Sequence, residues 1–172
     1  MAGGPYIQLK YATFDPLAGE PNLPPDLRIT PHPNQVTYYL VQFDGPVQSE
    51  WRSGLDALGM EIIEYAPDFA FLIRATPEMA NTAAHLDRVR WVGLFHAAYR
   101  VDPRLLSARA SGAVRVQMFP NEPGLPVEAE IAIAGGKVND TGSGPNGDFL
   151  DATLSPGAIR RIARQRGVAW IE

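Results

Sequence analysis

The sequence predicts an α+β chain made of two copies of one βαββαβ unit behind an extended N-terminal arm. Three observations carry this. Strand-like and helix-like runs follow the order β-α-β-β-α-β. That order occurs twice, over 36–100 and 113–172. Residues of the same kind recur between the copies at constant spacing. The arm is 1–35 and a linker is expected at 101–112.

Taken in order, the arm is Pro-rich. Pro16, Pro21, Pro24, Pro25, Pro31 and Pro33 suppress helix and interrupt strand pairing. One short strand at Tyr6–Tyr11 is the only regular element expected there. Thr37–Phe43 is β-branched and aromatic, hence a strand. Pro46 opens a helix with Val47, Trp51, Leu55 and Leu58 on one face, stopped by Gly59. Met60–Tyr65 reads as a strand, Pro67-Asp68 as a turn and Phe69–Ala75 as a strand. Thr76-Pro77 places an N-cap before a first-position proline, and Met79, Ala80, Ala83, Ala84 and Leu86 give that helix its apolar face. Val89–Phe95 closes the first unit.

In the second unit Val114–Phe119 is a strand and Val127–Ala134 a helix closed by Gly135-Gly136. Lys137–Asp140 is a short strand, 141–148 a polar Gly-rich loop and Phe149–Leu154 a strand. Ser155-Pro156 caps a helix with Ile159, Ile162 and Ala163 inward and Arg160, Arg161 and Arg164 outward. Gly167 stops it and Val168–Ile171 is the last strand. The repeat is visible in register: Phe43, Leu55 and Gly59 match Phe119, Ile131 and Gly135, and Thr76-Pro77, Val89 and Trp91 match Ser155-Pro156, Val168 and Trp170. Each unit implies a four-stranded antiparallel sheet with two helices on one face, the ferredoxin-like arrangement.

Composition narrows the function. Of 172 residues 45% are hydrophobic and 20% charged, the balance of a globular domain. A net charge of −4 argues against a duplex-DNA surface, which needs clustered cations. Cysteine is absent, which excludes disulfides and thiolate metal sites. No apolar run is long enough to span a bilayer. The start, Met1-Ala2-Gly3-Gly4-Pro5, has no basic stretch leading into an apolar one, so a secreted product would carry its signal peptide outside this sequence.

Motifs for catalysis lack their partners. Asp140-Thr141-Gly142 matches an aspartate motif of subtilisin-like and pepsin-like proteases, but no histidine or serine stands in a matching context and no second copy exists; it reads as part of a hairpin turn. Gly142-Ser143-Gly144-Pro145-Asn146-Gly147 has G-x-G-x-x-G spacing, but a strand rather than a helix follows it. His32, His85 and His96 are scattered, with no second ligand at metal spacing. No catalytic residue, cofactor or metal is expected. Trp51, Trp91 and Trp170 fall at core-facing positions. Arg160, Arg161, Arg164 and Arg166 form a solvated basic face that complements the helix C-terminus.

The run Gly135-Gly136-Lys137-Val138, then Ala152-Thr153-Leu154-Ser155, then Gly167-Val168-Ala169-Trp170-Ile171-Glu172, resembles the inhibitor-type propeptide of subtilisin-like serine proteases over about 113–172. The first unit, with Tyr38-Tyr39-Leu40-Val41-Gln42-Phe43, Gly45-Pro46, Trp51 and Val89-Arg90-Trp91-Val92-Gly93, looks like the extra module of larger bacterial precursors, and Phe14-Asp15-Pro16 fits that longer layout. The resemblance implies an intramolecular chaperone and inhibitor, secreted or extracellular, whose partner is the cognate protease domain, normally in the same chain. It implies that the open sheet face of the second unit packs on two protease helices, that Glu172 meets their N-termini, and that Trp170 and Val168 belong to the docking strand. Gly93 stands where the second unit has Glu172, so docking falls to the second unit. A product-like tail is expected beyond Glu172. The other readings are a free-standing inhibitor of the same type and a ligand-binding regulatory module of paired ferredoxin-like units. RNA recognition comes third.

Overall fold

A computed structural model describes residues Gly4–Glu172; the part of the expected arm at 1–3 lies outside the described residues. The chain is α+β with antiparallel sheets, and its contacts divide it into two units. The first takes residues up to Asn22 together with Ile29–Phe95, and the second takes Leu23–Arg28 with His96–Glu172.

The first unit begins with a small hairpin of β1 (Ile7–Gln8) and β2 (Thr13–Phe14). The arm therefore holds two short paired strands rather than the one expected. Its main sheet comprises β3 (Thr37–Phe43), β4 (Glu61–Ala66), β5 (Ala70–Ala75) and β6 (Val89–Leu94) in the order β4-β5-β3-β6. Helices α1 (Ser49–Ala57) and α2 (Pro77–Ala83) supply the other layer. Tyr39, Val41, Phe43, Phe71 and Ile73 pack with Leu55, Ala80 and Ala83, and Trp51 stacks on Phe43 at 5.8 Å between ring centres. Strand alternation puts Tyr38, Leu40 and Gln42 on the opposite face.

The second unit opens with a 3-10 turn at Ala97–Arg100 and the one-turn helix α3 (Pro103–Leu106). Val101, expected in a linker, bridges Ile171. Its sheet comprises β7 (Gly112–Met118), β8 (Lys137–Gly144), β9 (Gly147–Leu154) and β10 (Val168–Ile171) in the order β10-β7-β9-β8, with α4 (Leu125–Ile133) and α5 (Pro156–Ala163). Both strand orders fit the ferredoxin-like arrangement. The 141–148 stretch is not a loop: β8 runs to Gly144, the turn is Pro145-Asn146, and Gly147 already pairs with Gly144.

The repeat extends to irregularities. Each first hairpin strand slips by one residue at the same place, between Ile62 and Glu64 and between Val138 and Asp140. Each last strand bulges too, at Arg90 and at Ala169. Thr76 accepts from Met79 N–H and Ser155 from Ala158 N–H, the same cap twice. Gly59 and Gly135 end α1 and α4 at φ +78 and +75, left-handed values that favour glycine. Strand pairing corrects one expected match. Phe43 pairs with Val89 and Met118 with Val168, so Phe43 corresponds to Met118, not Phe119. Phe119 sits one step further, where its N–H donates to Gly167 as Asp44 N–H does to Arg88.

Candidate docking face of the second unit

Alternation along β7 sends Val114, Val116 and Met118 into the core and leaves Arg115 and Gln117 on the face away from the helices. On β9 the same rule buries Leu150, Ala152 and Leu154 and leaves Phe149, Asp151 and Thr153 on that face. The bulge at Ala169 turns β10 so that Val168 and Ile171 are buried while Trp170 pairs with Gln117. Trp170 is therefore on the open face and only half-buried, not in the core.

The centre of this face is a fixed cluster. Arg115 Nε and Nη2 donate to the two carboxylate oxygens of Asp151, each at 2.7 Å. The guanidinium lies over the Phe149 ring at 4.1 Å, a cation–π contact. Hydrogen bonding from Arg115 pulls the Asp151 carboxyl below its ordinary value, and the same bonds raise Arg115 further. Phe149 in turn lies on Gly142, where a Cβ would come within 2.4 Å of the ring. That is why glycine closes the Asp140-Thr141-Gly142 motif, which is strand, not turn. Gln117 Nε2 donates to the carbonyls of Met118, Asn146 and Asp148, tying the strand to the hairpin tip.

The rim is acidic. Asp140 and Glu172 are exposed, and the Arg115 charge is already matched by Asp151. Glu172 extends β10: its N–H donates to Arg115 O at 3.1 Å and its own carbonyl accepts from Arg115 N–H at 2.8 Å. Trp170 Nε1 donates to Glu172 Oε2 at 3.2 Å. The structure thus brings Trp170 and Glu172 together on the face, whereas Val168 is fully buried in its own unit and offers no side chain to a partner.

The first unit places different residues at the same positions. Leu40 and Leu72 pair where Arg115 and Asp151 do, and Gln42 pairs with Trp91 where Gln117 pairs with Trp170. Tyr38, Leu40 and Leu72 are buried. Trp91, expected in the core, also lies on the face away from the helices, its indole over Gly93.

Of the histidines, His32 and His85 are exposed and His85 Nδ1 lies 2.8 Å from Asn81 O. His96 is buried, and desolvation, then Arg28 and Arg100, lower its pKa to about 4. Its place after the last strand of the first unit gave no sign of this. Arg100 is fully buried as well, its Nη1 donating to the carbonyls of Gln165, Arg166 and Val168 behind α5. Among the described residues no group of three or more His, Asp or Glu could hold a metal ion, and no helix is long and apolar enough to cross a membrane.

The family described as "Domain of unknown function (DUF8729)" matches residues 8–96, which is the arm hairpin and first sheet, and the chain belongs to that family. Comparison with curated proteins gives no match. Among solved structures the chain is similar to protein BT0572 from Bacteroides thetaiotaomicron, with 14% identity, TM-score 0.31 and coverage of 78% of this chain and 89% of that one. It is also similar to the acetolactate synthase small subunit from Thermotoga maritima, with 14% identity, TM-score 0.26 and coverage of 80% and 92%. Likeness this low carries no argument, and the function has to be read from the chain's own geometry.

Proposed function

We propose that the chain is the propeptide region of a secreted subtilisin-like serine protease, acting as its folding chaperone and inhibitor through the second of two ferredoxin-like units. One observation supports the reading above the rest: the second unit carries an open sheet face with two aromatic rings, Trp170 and Phe149, rimmed by carboxylates and ending in Glu172 on the terminal strand. Half-exposed aromatics around a preset polar cluster suit a protein partner, because rigid rings supply contact area at low entropic cost. The acidic rim suits positive helix N-termini on that partner, where unpaired amides and the helix dipole favour a carboxylate. Chaperone action then follows from linkage: a partner that binds only the native protease surface stabilises that surface against the unfolded chain.

The test begins with the coding sequence beyond residue 172, where protease Asp, His and Ser motifs are expected. That protease domain is then refolded from denaturant with and without this chain. The chain should raise the yield of active enzyme and inhibit it reversibly, and Trp170→Ala should weaken inhibition by about tenfold or more, the loss of an aromatic anchor. No effect on yield or activity at tens of micromolar chain, or a Trp170→Ala chain as potent as the parent, would sink the proposal.

A further inference from the structure

The face of the first unit that corresponds to this docking face is reached by the chain's own arm. Gln42 is fully buried, and its Nε2 donates to Tyr6 O at 3.2 Å as well as to Asp68 O at 3.1 Å. Its Oε1 accepts from Arg90 Nη1 at 3.0 Å, and Arg90 Nη2 donates to Asp15 Oδ1 at 2.9 Å. Phe14 meets Trp91 edge-on, with ring centres 6.1 Å apart. Gln8 Nε2 donates to Asp68 Oδ2 at 2.5 Å. The anchors are thus one backbone carbonyl, one aromatic ring and one carboxylate on a short hairpin, received by an amide, an indole and a guanidinium.

These receptors are prepared for the task. Arg90 sits on the strand bulge, which is what lets consecutive residues Arg90 and Trp91 both serve the arm side. The indole lies flat only because residue 93 is glycine: a Cβ there would come within 2.0 Å of the ring. The fold does not demand such a cover, since in the second unit Gln117 and Trp170 hold the same positions while Arg115, Thr153 and Glu172 stay exposed.

We propose that the first unit is a peptide-binding module whose sheet face takes a short β-hairpin carrying on its second strand an aromatic residue followed directly by an acidic one, and that the hairpin Tyr6–Pro16 is its internal ligand. A tethered ligand competes at an effective concentration near millimolar, so the face is closed until the arm is withdrawn. This inference is independent of what the second unit docks against.

The test uses the full chain and a synthetic peptide of residues 4–18. In Phe14→Ala/Asp15→Ala chain the arm should let go, read as faster hydrogen exchange at the β1 and β2 amides and a shifted 5-fluorotryptophan resonance of Trp91, assigned with Trp91→Phe. The wild-type peptide should then bind in trans and restore the resonance. A peptide with both substitutions should bind at least about tenfold more weakly, given the worth of a charge-assisted hydrogen bond. The parent chain should take up the wild-type peptide far less readily. A second pair guards against loosened folding: Asp15→Lys chain should open, and Asp15→Lys/Arg90→Glu should close again and refuse peptide. Equal binding of both peptides, no binding to the opened chain, or no closure in the swapped pair overturns the proposal.

Discussion

Acid should loosen the second unit through one side chain. His96 is only 5% exposed, its ring meets Tyr99 edge-on at 5.8 Å, and the charges acting on it, Arg28 and Arg100, are both positive. Burial and those two guanidiniums disfavour the imidazolium and hold the folded pKa at about 4, against 6.5 for an unperturbed imidazole. Below pH 6.5 the unfolded chain therefore binds a proton that the folded chain refuses. The neutral ring's contribution is complete above the unfolded pKa and is lost as the pH falls toward the folded one. Between about pH 7.5 and about pH 4.5 the linkage amounts to about 2–3 kcal/mol, at about 1.36 kcal/mol for each tenfold difference in proton affinity between the folded and unfolded chain. Carboxylates add their own pH dependence, so the measurement is a difference. Urea unfolding of the parent and His96→Phe, followed by circular dichroism at both pH values, should show the variant losing about 2 kcal/mol less on acidification. An identical loss in both chains would show that His96 titrates normally and that its burial is not felt by the proton.

Other substitutions test the framework. Thr76→Ala and Ser155→Ala each remove one helix N-cap, and each should cost about 1 kcal/mol in urea unfolding; the two losses should add, because the caps lie in separate units. Arg100→Met strips three carbonyls behind α5 of a buried donor and should cost about 3 kcal/mol, read as a lowered Tm, with Arg100→Lys failing to restore it. Gly142→Val drives a side chain into the Phe149 ring and should cost about 1–3 kcal/mol while disturbing the Arg115–Phe149 contact; a neutral result would mean the ring moves freely. Asp15 is held below the ordinary carboxylate range, mainly by its hydrogen bond from Arg90, so arm protection in hydrogen exchange should persist at mildly acid pH and fall only as Asp15 itself protonates.

Much of the framework is legible in the sequence because local rules govern it. Thr37–Phe43 and Val168–Ile171 form strands over the residues expected, since β-branched and aromatic runs are bounded by turn signals. Thr76-Pro77 and Ser155-Pro156 cap as their spacing predicts. What escaped needed tertiary contact. The stretch 141–148 has no apolar alternation because β8 is an edge strand exposed on most positions; its Gly142 makes room for Phe149, and its Gly147 supplies the left-handed residue after the turn. Trp91 and Trp170 face away from the helices because bulges at Arg90 and Ala169 shift their strands by one residue, and no residue type announces a bulge. Phe119 attracted a false match with Phe43 because both are aromatic; ladder geometry decides otherwise. Of the expected docking residues, Glu172 and Trp170 reach the face, while Val168, which only the closing motif points to, is buried before the bulge at Ala169.

The two faces also explain why one backbone can serve different ends. Where β3 and β5 cross-pair Leu40 with Leu72, β7 and β9 cross-pair Arg115 with Asp151. These are coupled choices. A leucine pair gains about 25 cal/mol for each Å² removed from water, so it is worth most where neighbours lie over it. An arginine–aspartate pair loses its hydration when covered and regains that loss only with good geometry, so it suits a face that stays wet until a partner supplies further bonds. Changing one member alone would strand either a charge against leucine or a leucine against a charge. The same reasoning applies at the strand end, where Gly93 makes room for Trp91 and Glu172 instead accepts from Trp170. The repeats therefore diverge in step at paired positions of this face, while the caps at Thr76 and Ser155, the left-handed Gly59 and Gly135 and the strand bulges are kept in both.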